Sequence, residues 1–448
     1  MASASSISIS RPASRWSGTV VVLLVGYLCM GRSFAYLGIP AWHVFIGEIV
    51  LALFLFSGPL TRLGRWPWVV RRMPRFRRLF MFFLIFFAYG VFEVLRGIAL
   101  GHPALTAARD LAFEYYPVFL ALGLWVGLRD PGIPPRLFRT LAWFNGVYGA
   151  VYILFLNGTG WILSGVLNQA APVPVFGLPE FSFVVLLGLL AYERDLKKIW
   201  HLLALNGFVL LGMQVRGEWL GFAVGLCMLG WLTKRLKTVL TGAAVVTILL
   251  VSMFVVNIKL PGPETRGGGE ISTRDLIGRA VAPLDPNLAD EYTSFSKMDV
   301  GTTVWRTVWW AAIWEAVHQN RVLSLLGFGY GYPIGDLVPY LEGEFIQTPH
   351  NAFFYALGYT GWIGVAFFAL FQGQLVLLLW RTYHRSGQPS GVVLWVAMLA
   401  YAQFTAFFEA PYGAIPFYLL IGIILGSGMM SRRGLIRMNP TTGLPAAP

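Results

Sequence analysis

Long apolar segments, separated by short polar ones, run through most of the chain. A helix needs roughly 20 mostly apolar residues to cross a hydrocarbon core of about 30 Å, and about twelve segments have or approach that length. The apolar segments lie at 17–37, 42–60, 79–98, 109–128, 137–156, 173–192, 199–214, 218–233, 238–256, 352–380, 391–409 and 413–430. This pattern predicts an all-α integral membrane protein with about twelve transmembrane helices. A hydrophobic content of 56% with only 12% charged residues agrees with it.

The positive charges follow the same pattern. The formal net charge is +13, and clusters of Lys and Arg occupy every second gap between the apolar segments. The positive-inside rule therefore predicts that these gaps and both termini are cytoplasmic. Because the cations lie at segment ends, and not on one soluble face with interleaved aromatic residues, they indicate contact with membrane lipids and no nucleic-acid partner. The clusters lie at 62–78, 129–139, 194–198, 234–237, 381–385 and 432–437.

One polar gap is far longer than the others. Residues 257–350 separate an N-terminal membrane bundle of about nine helices, 1–256, from residues 351–448. The latter comprise a C-terminal membrane bundle of about three helices and a cytoplasmic tail. The predicted topology makes the long gap a loop subdomain on the outer face, and long loops escape the positive-inside count.

The second half of this loop carries two patterns. Over residues 302–320, apolar side chains recur at helical spacing, which predicts an amphipathic helix. Trp310 and Trp314 lie off the apolar stripe, which is typical of a helix resting at the membrane interface. Glycines then alternate at 327–331, which permits a tight turn or a close approach of two backbones.

Two residues at the outward ends of apolar segments are candidates for chemistry. The guanidinium of Arg216, beside Gly217, offers a planar fork that matches phosphate oxygens. The alternatives are an ion pair with Glu218 or contact with lipid headgroups. His350 can accept a proton from a hydroxyl near neutral pH, because an unperturbed imidazole titrates at about 6.5. Its alternative role is helix capping together with Asn351.

Arg306 and several charges inside apolar segments are less specific. Arg306, beside Trp305 and Trp309, suits either a lipid headgroup or a pyrophosphate. Other charged residues converge on the outer ends of apolar segments, where they form either a cleft open to lipid or ion pairs within the bundle. Glu93 and Arg96 have the spacing of a pair on one helix face. The full set is Arg32, Glu48, Glu93, Arg96, Arg109, Asp110, Glu114 and Glu180.

Metal and cofactor signals are missing from the sequence. No His, Cys and Asp residues have metal-ligand spacing, and the aspartates are scattered instead of paired. A sugar-nucleotide enzyme would usually hold its phosphates through such a metal clamp on the cytoplasmic side. The sequence therefore predicts neither a bound metal nor a cofactor.

The motifs combine into a pattern. It consists of an Arg-x-x-Trp/Leu element, an arginine-started helix, a Gly-x-Gly turn, a His-Asn pair and a glycine-spaced helix. In this chain these elements lie at 216–219, Arg306, 327–331, 350–351 and 358–364, with similar segments at 32–38 and 109–117. The pattern spans most of the chain and resembles the superfamily of O-antigen ligases and O-antigen polymerases of bacterial envelopes.

This resemblance implies a fold, a substrate and residue roles. The fold would be a C-type glycosyltransferase fold of about a dozen helices in the bacterial inner membrane, with a periplasmic active site. The donor would be a glycan linked to undecaprenyl pyrophosphate, and no metal would be needed because guanidinium groups neutralise the pyrophosphate. His350 would act as the catalytic base on the acceptor hydroxyl. The residues implied in binding the donor are Arg216, Arg306, Asn351, Arg109 and Arg32.

The acceptor stays open at this point. A ligase would use lipid A-core and a polymerase would use a second lipid-linked glycan, and the sequence does not separate them. A lipid or polysaccharide transporter also explains about twelve spans, but it predicts internal symmetry and polar residues at the middle of the membrane. The polar residues of this chain gather instead at the outer ends of the segments, which favours the enzyme.

Overall fold

The computed structural model describes residues 15–39, 44–56, 74–157, 159, 161, 173–193, 195–236, 259–261, 270–281, 296–339 and 348–430. These residues fold mainly into helices. Two short antiparallel hairpins accompany them, β1 (Gly38–Ile39) with β2 (Val44–Phe45), and β3 (Lys259–Pro261) with β4 (Glu270–Ser272).

The helices are numbered in chain order. They are α1 (Arg15–Ala35), α2 (Ile46–Phe56), α3 (Pro74–Ala99), α4 (Ala104–Asp110), α5 (Ala112–Tyr115), α6 (Phe119–Arg129), α7 (Ile133–Val151), α8 (Ser182–Tyr192), α9 (Leu196–Gly212), α10 (Arg216–Leu232), α11 (Thr273–Val281), α12 (Ser296–Val317), α13 (Arg321–Leu326), α14 (Ala352–Ser386), α15 (Ser390–Tyr401) and α16 (Pro411–Met430). A 3₁₀ turn joins α5 to α6, a π turn extends α7 to Leu156, and another 3₁₀ turn covers Ile334–Leu337.

The prediction of an all-α integral membrane protein is confirmed. A helix lies in each predicted apolar segment except 238–256, which is outside the described residues. Five stretches are long and apolar enough to cross a membrane: Ser17–Ala35, Phe76–Ala99, Ala104–Arg129, Ala352–Ser386 and Pro411–Met430. Helices α2, α8 and α15 are apolar but shorter. The number of about twelve crossings and the three-part division of the chain stay predictions.

The segment at 173–192 differs from its prediction. Its helix, α8, begins only at Ser182, because Pro174, Gly177 and Pro179 interrupt helical backbone before it. The non-helical part packs against α1, since Ser33 Oγ donates to Pro174 O at 2.6 Å and a Cβ at Gly177 would collide with the α1 backbone. Protein contacts thus replace the hydrogen bonds that a helix would have supplied.

Helices α6 and α16 pack through glycines. A Cβ at Gly123 or Gly127 of α6 would collide with carbonyl oxygens of α16, and one at Gly422 or Gly426 would collide with carbonyl oxygens of α6. Small residues four apart on both partners let membrane helices approach until their backbones touch. Most side chains of α16 are buried, so other parts of the chain surround this helix.

The alternating glycines after α13 pack against an interruption in helix α14. Gly361 has φ 62° and ψ −168°, which interrupts the helix and removes the usual partners of the carbonyls of Gly358 and Tyr359. Phe328 N and Gly329 N donate to those two carbonyls at 2.8 and 2.9 Å. The amides of the glycine turn at 327–331 therefore supply the hydrogen bonds that the carbonyls at the break in α14 lack. The predicted close approach of two backbones is confirmed.

The same glycine turn is held from its other side by α3, α4 and α5. Arg96, which pairs with Glu93 at 2.6 Å as predicted, donates to the carbonyl of Leu326. Gly331 N donates to Asp110 Oδ2 at 2.9 Å, and Tyr330 OH donates to Glu114. The sequence left open whether the charged residues inside apolar segments form a cleft or ion pairs. Four of them, Glu93, Arg96, Asp110 and Glu114, have a structural role at this turn.

Replacing Gly361 with alanine is expected to destabilise the fold by about 1–3 kcal/mol or more, because its φ and ψ are accessible in practice only to glycine. A Cβ there would also collide with the backbone of Leu325. Gly373→Ala on the same helix is the matched control, since a Cβ at Gly373 meets nothing within 4 Å. Thermal unfolding in detergent checks the prediction, and equal unfolding temperatures for the two variants would contradict it.

The predicted amphipathic helix is observed as α12, which begins and ends earlier than residues 302–320. Trp309 and Ile313 are buried as expected, but Val304 and Val308 of the predicted stripe are 51% and 45% exposed. The position of this helix at the membrane interface stays a prediction, but Trp310 also has contacts within the protein. Its Nε1 donates to Pro349 O at 2.8 Å and its ring stacks on Phe354, so this side chain faces the protein.

Candidate functional site

A loop between α15 and α16, residues 402–410, joins several predicted site residues. The apolar segment 391–409 was expected to be helical throughout, but α15 ends at Tyr401. The carbonyls that follow accept hydrogen bonds from distant parts of the chain. Ala352 N donates to Ala402 O, Asn351 Nδ2 to Gln403 O and Arg306 Nη1 to Phe404 O, at 3.1, 3.1 and 3.2 Å.

His350 contacts the same loop through its ring. Ala406 N donates to His350 Nδ1 at 3.3 Å, and the edge of the ring meets Trp305 with 5.8 Å between centroids. The backbone of His350 has φ 52°, a left-handed conformation that is uncommon outside glycine and that often accompanies functional sites. The imidazole therefore has a defined position and orientation.

The surroundings of His350 oppose a positive charge on it. Burial lowers the pKa of His350 to about 3, and the guanidiniums of Arg306 and Arg32 add to this effect. The ring is therefore neutral at physiological pH. The guanidiniums of Arg306 and Arg32 contribute positive potential at the imidazole, which favours an anionic substrate group.

The hydrogen bond from Ala406 determines which ring nitrogen carries the hydrogen. A neutral imidazole has one N–H and one acceptor nitrogen, and Nδ1 is the acceptor here. The hydrogen of His350 therefore lies on Nε2, which is a donor in this tautomer. A general base acting through Nε2 needs the opposite tautomer, with Nδ1 donating to an orienting acceptor.

Arg306 and Arg32 approach this site from different helices. Arg306 lies on α12, with its guanidinium carbon 5.5 Å from the centroid of the Trp305 ring. Arg32 lies in the last turn of α1, is exposed, and places its guanidinium carbon 5.3 Å from the centroid of the Tyr412 ring. Both lie within electrostatic reach of His350. The structure therefore brings these two arginines and the histidine together.

Arg216 begins α10, which abuts the same loop. A Cβ at the next residue, Gly217, would lie 3.1 Å from the Tyr401 ring and 3.7 Å from Phe404 Cβ. The helix start is fixed by Gln214, with φ 54°, and by Trp219, whose Nε1 donates to Leu210 O at 2.9 Å. Trp219 of the Arg-x-x-Trp element thus positions the turn. The backbone beside Arg216 lies against Phe404, and Arg306 binds the carbonyl of that same residue.

Asn351 and Arg109 have other surroundings. Asn351 Oδ1 caps α14 by accepting from Phe353 N and Phe354 N at 2.9 and 3.1 Å. Helix capping was the alternative role of His350 together with Asn351, and in the structure Asn351 is the residue that caps the helix. The contact of Asn351 with substrate stays a prediction. Arg109 precedes Asp110, which holds the glycine turn. Substrate binding by Arg109 also stays a prediction.

The sequence reasoning missed one carboxyl group, Glu409, which it assigned to the end of an apolar segment without a role. Its Oε2 accepts from Phe407 N at 3.2 Å, whereas Oε1 is buried and has no hydrogen-bond partner among the described residues. Burial raises the pKa of Glu409 to about 7, and Asp110 adds to this. A carboxylate is costly at the end of an apolar segment, and that cost could have marked it as functional.

The described residues contain no group of three or more His, Cys, Asp and Glu that could hold a metal ion. The positive charges of the site are guanidiniums. In this arrangement a neutral histidine lies within electrostatic reach of two arginines. Such a site can bind an anion and can donate or accept a proton at nearby oxygens.

Comparison with known protein families gives one match. The family model described as O-antigen ligase matches residues 201–369, a segment that contains Arg216, Arg306, the glycine turn and His350. No curated protein matches the chain significantly. Members of this family carry out glycan transfer of the O-antigen ligase or polymerase type in membranes. Residues 201–369 of the chain are therefore similar to the O-antigen ligase family.

Proposed function

We propose that this protein transfers a glycan from undecaprenyl pyrophosphate to an acceptor hydroxyl, with inversion at the anomeric carbon and without a metal. The reaction takes place on the periplasmic face of the bacterial inner membrane, with both termini in the cytoplasm. The observation that carries the proposal is the convergence of Arg306 and Arg32 on His350 at the 402–410 loop.

Electrostatics support a pyrophosphate as the group bound there. Two arginines within electrostatic reach of a histidine that stays neutral contribute positive potential in partly buried surroundings. A lipid-linked pyrophosphate carries negative oxygens that match planar guanidinium forks. The departing pyrophosphate gains negative charge as the glycosidic bond breaks, so fixed positive groups lower the barrier.

The site residues have different roles in this reaction. In this proposal Arg306, Arg216 and Arg32 hold and neutralise the pyrophosphate, and His350 contacts an oxygen whose bonding changes. Asn351 keeps α14 and the loop in register through its cap and its bond to Gln403 O. The positive end of α10 adds to the same potential, because Arg216 is its first residue.

An assay with purified protein tests this proposal. The protein is incubated with an undecaprenyl-pyrophosphate glycan and with either lipid A-core or more lipid-linked glycan, and products are separated on a gel. New glycan on lipid A-core identifies a ligase, and lengthening of the lipid-linked species alone identifies a polymerase. Movement of intact donor across a vesicle membrane without any new glycosidic bond would replace the proposal by a transporter.

A further inference from the structure

One face of α12 carries a row of side chains that begins at the site. Arg306, Trp310 and Trp314 are four residues apart, and His318 follows directly after the helix, with its amide donating to Trp314 O at 3.2 Å. Residues four apart lie one above the other on a helix surface. Arg306 donates to the 402–410 loop. The row therefore leads away from the site, over about 12 Å between Arg306 and Trp314.

The far end of this row meets α14 in three rings, those of Trp314, His318 and Trp362, which we call the aromatic corner. The two indole rings are nearly perpendicular, at 87° with 6.1 Å between centroids, and the centroid of the imidazole lies 4.3 Å from that of Trp314. Trp362 directly follows the break at Gly361, where its helix starts again. Trp314 and Trp362 are 43% and 38% exposed. A large aromatic surface is therefore open at this end of the row.

Hydrogen bonds hold the rings of the row in one arrangement. Trp362 Nε1 donates to His318 Nε2 at 3.2 Å, so the other nitrogen, Nδ1, carries the hydrogen and donates to Trp314 O at 2.7 Å. The indole of Trp310 is held in the same way, through its bond to Pro349 O. Rings that are fixed before binding lose little conformational entropy when a ligand meets them. The N–H of Trp362 is used within the protein, and its ring surface remains for a ligand.

The polar groups around the corner favour a carbohydrate over a hydrocarbon chain. Glu315, Gln319 and Arg321 are exposed next to Trp314 and His318 in the chain. Charged groups are costly in hydrocarbon, so this surface suits a polar ligand in water. The C–H bonds on one face of a sugar ring carry partial positive charge, and the face of an indole carries partial negative charge, so the two faces attract each other. The hydroxyl groups around the same sugar can pair with the neighbouring polar side chains.

We propose that the aromatic corner is a subsite for the glycan of the donor, where it binds sugars beyond the one whose bond breaks. This inference rests on the proposed function. The pyrophosphate bound at Arg306 is attached to the first sugar, so the glycan begins at the same end of the row. About 12 Å of helix separates Arg306 from Trp314, which a few linked sugar rings span. An oligosaccharide therefore reaches the corner, whereas a single sugar does not.

Trp314→Ala is the decisive variant, and it is tested with two donors that differ only in the number of sugars. With an undecaprenyl-pyrophosphate oligosaccharide, the donor Kd is expected to rise about 3- to 10-fold, because the contact with one ring is lost. With undecaprenyl pyrophosphate carrying a single sugar, Kd is expected to stay within about twofold of the wild type. Calorimetric titration of the protein in detergent measures both values. Unchanged binding of the single-sugar donor also shows that the variant is folded.

Two further variants serve as controls. Trp314→Tyr keeps an aromatic face, so its Kd for either donor is expected to stay within about threefold of the wild type. Trp200→Ala is the matched control, because Trp200 is also exposed, at 66%, and also lies beside a histidine, His201, but on α9. Its Kd values are expected to equal those of the wild type.

The same measurements separate this inference from its rivals. Equal weakening of both donors by Trp314→Ala would overturn it, because the corner would then support the fold or anchor the helix in the membrane. An effect confined to KM for the acceptor would also refute it, since the corner would then hold sugars of the acceptor. If the wild-type protein binds the oligosaccharide donor but forms no glycosidic product, the proposed function fails. If it forms product and Trp314→Ala binds both donors as the wild type does, only the inference about the corner fails.

Discussion

Replacing His350 with alanine is expected to lower the rate of glycan transfer by about 10²- to 10³-fold. The position of the imidazole is defined both by the 402–410 loop and by the ring of Trp305. Alanine removes its Nε2–H, and with it a fixed donor at the oxygen on which negative charge develops. Initial rates at saturating donor, with the released lipid pyrophosphate as readout, measure the loss.

The left-handed backbone of His350 makes a folding control necessary. Alanine at φ 52° carries a conformational cost of about 1–2 kcal/mol, which could lower activity through stability alone. Asparagine tolerates this conformation better than other non-glycine residues. His350→Asn is therefore expected to unfold at the wild-type temperature in detergent and still to lose transfer. Wild-type rates in a well-folded His350→Asn protein would remove His350 from the mechanism.

Lysine at position 306 is expected to weaken the donor complex by about 10- to 100-fold, although the charge is preserved. Arg306 uses Nη1 for the carbonyl of Phe404. A guanidinium carries five N–H donors in a planar fork that matches phosphate oxygens. A lysine ammonium cannot reproduce this fork, and the loss of one charge-assisted hydrogen bond costs about 1.5–3 kcal/mol. Donor titration monitored by tryptophan fluorescence measures Kd, since Trp305 adjoins the guanidinium.

Arg321→Lys is the matched control for this substitution, because Arg321 is exposed at the start of α13. Its donor Kd is expected to equal that of the wild type. Arg216→Lys is expected to follow Arg306→Lys, because the start of α10 meets Phe404 as well. Wild-type kinetics in both Arg216→Lys and Arg306→Lys would argue against planar recognition of a pyrophosphate at this loop.

Features that depend on neighbouring residues were predictable from the sequence. The pair of Glu93 and Arg96 follows from their spacing on one helix turn, and the structure shows it at 2.6 Å. The helix containing Arg306 follows from apolar periodicity, although α12 begins at Ser296. The glycine turn follows from residue type, because its three glycines have φ values of 65°, 84° and 83°.

Features that depend on distant contacts were not predictable in this way. Residues 402–410 are apolar enough to continue a helix, and the sequence interpretation did so. Their loop exists because Asn351, Arg306 and His350 hydrogen-bond to its backbone from other parts of the chain. The contact of Trp310 was not foreseen, because its partner, Pro349 O, is remote in sequence. For the same reason Glu409 received no role.

The sequence by itself determined that the chain is a helical membrane protein and which side chains are suited to bind a pyrophosphate, because hydropathy and functional-group chemistry are local properties. The tertiary structure alone decided which of these side chains meet. It placed Arg306, Arg32 and His350 around one loop and fixed the hydrogen of His350 on Nε2. These outcomes depend on backbone groups more than fifty residues away, since Ala406 is 56 residues from His350 and Phe404 is 98 from Arg306. Periodicity does not encode contacts over such separations; packing of the whole bundle does.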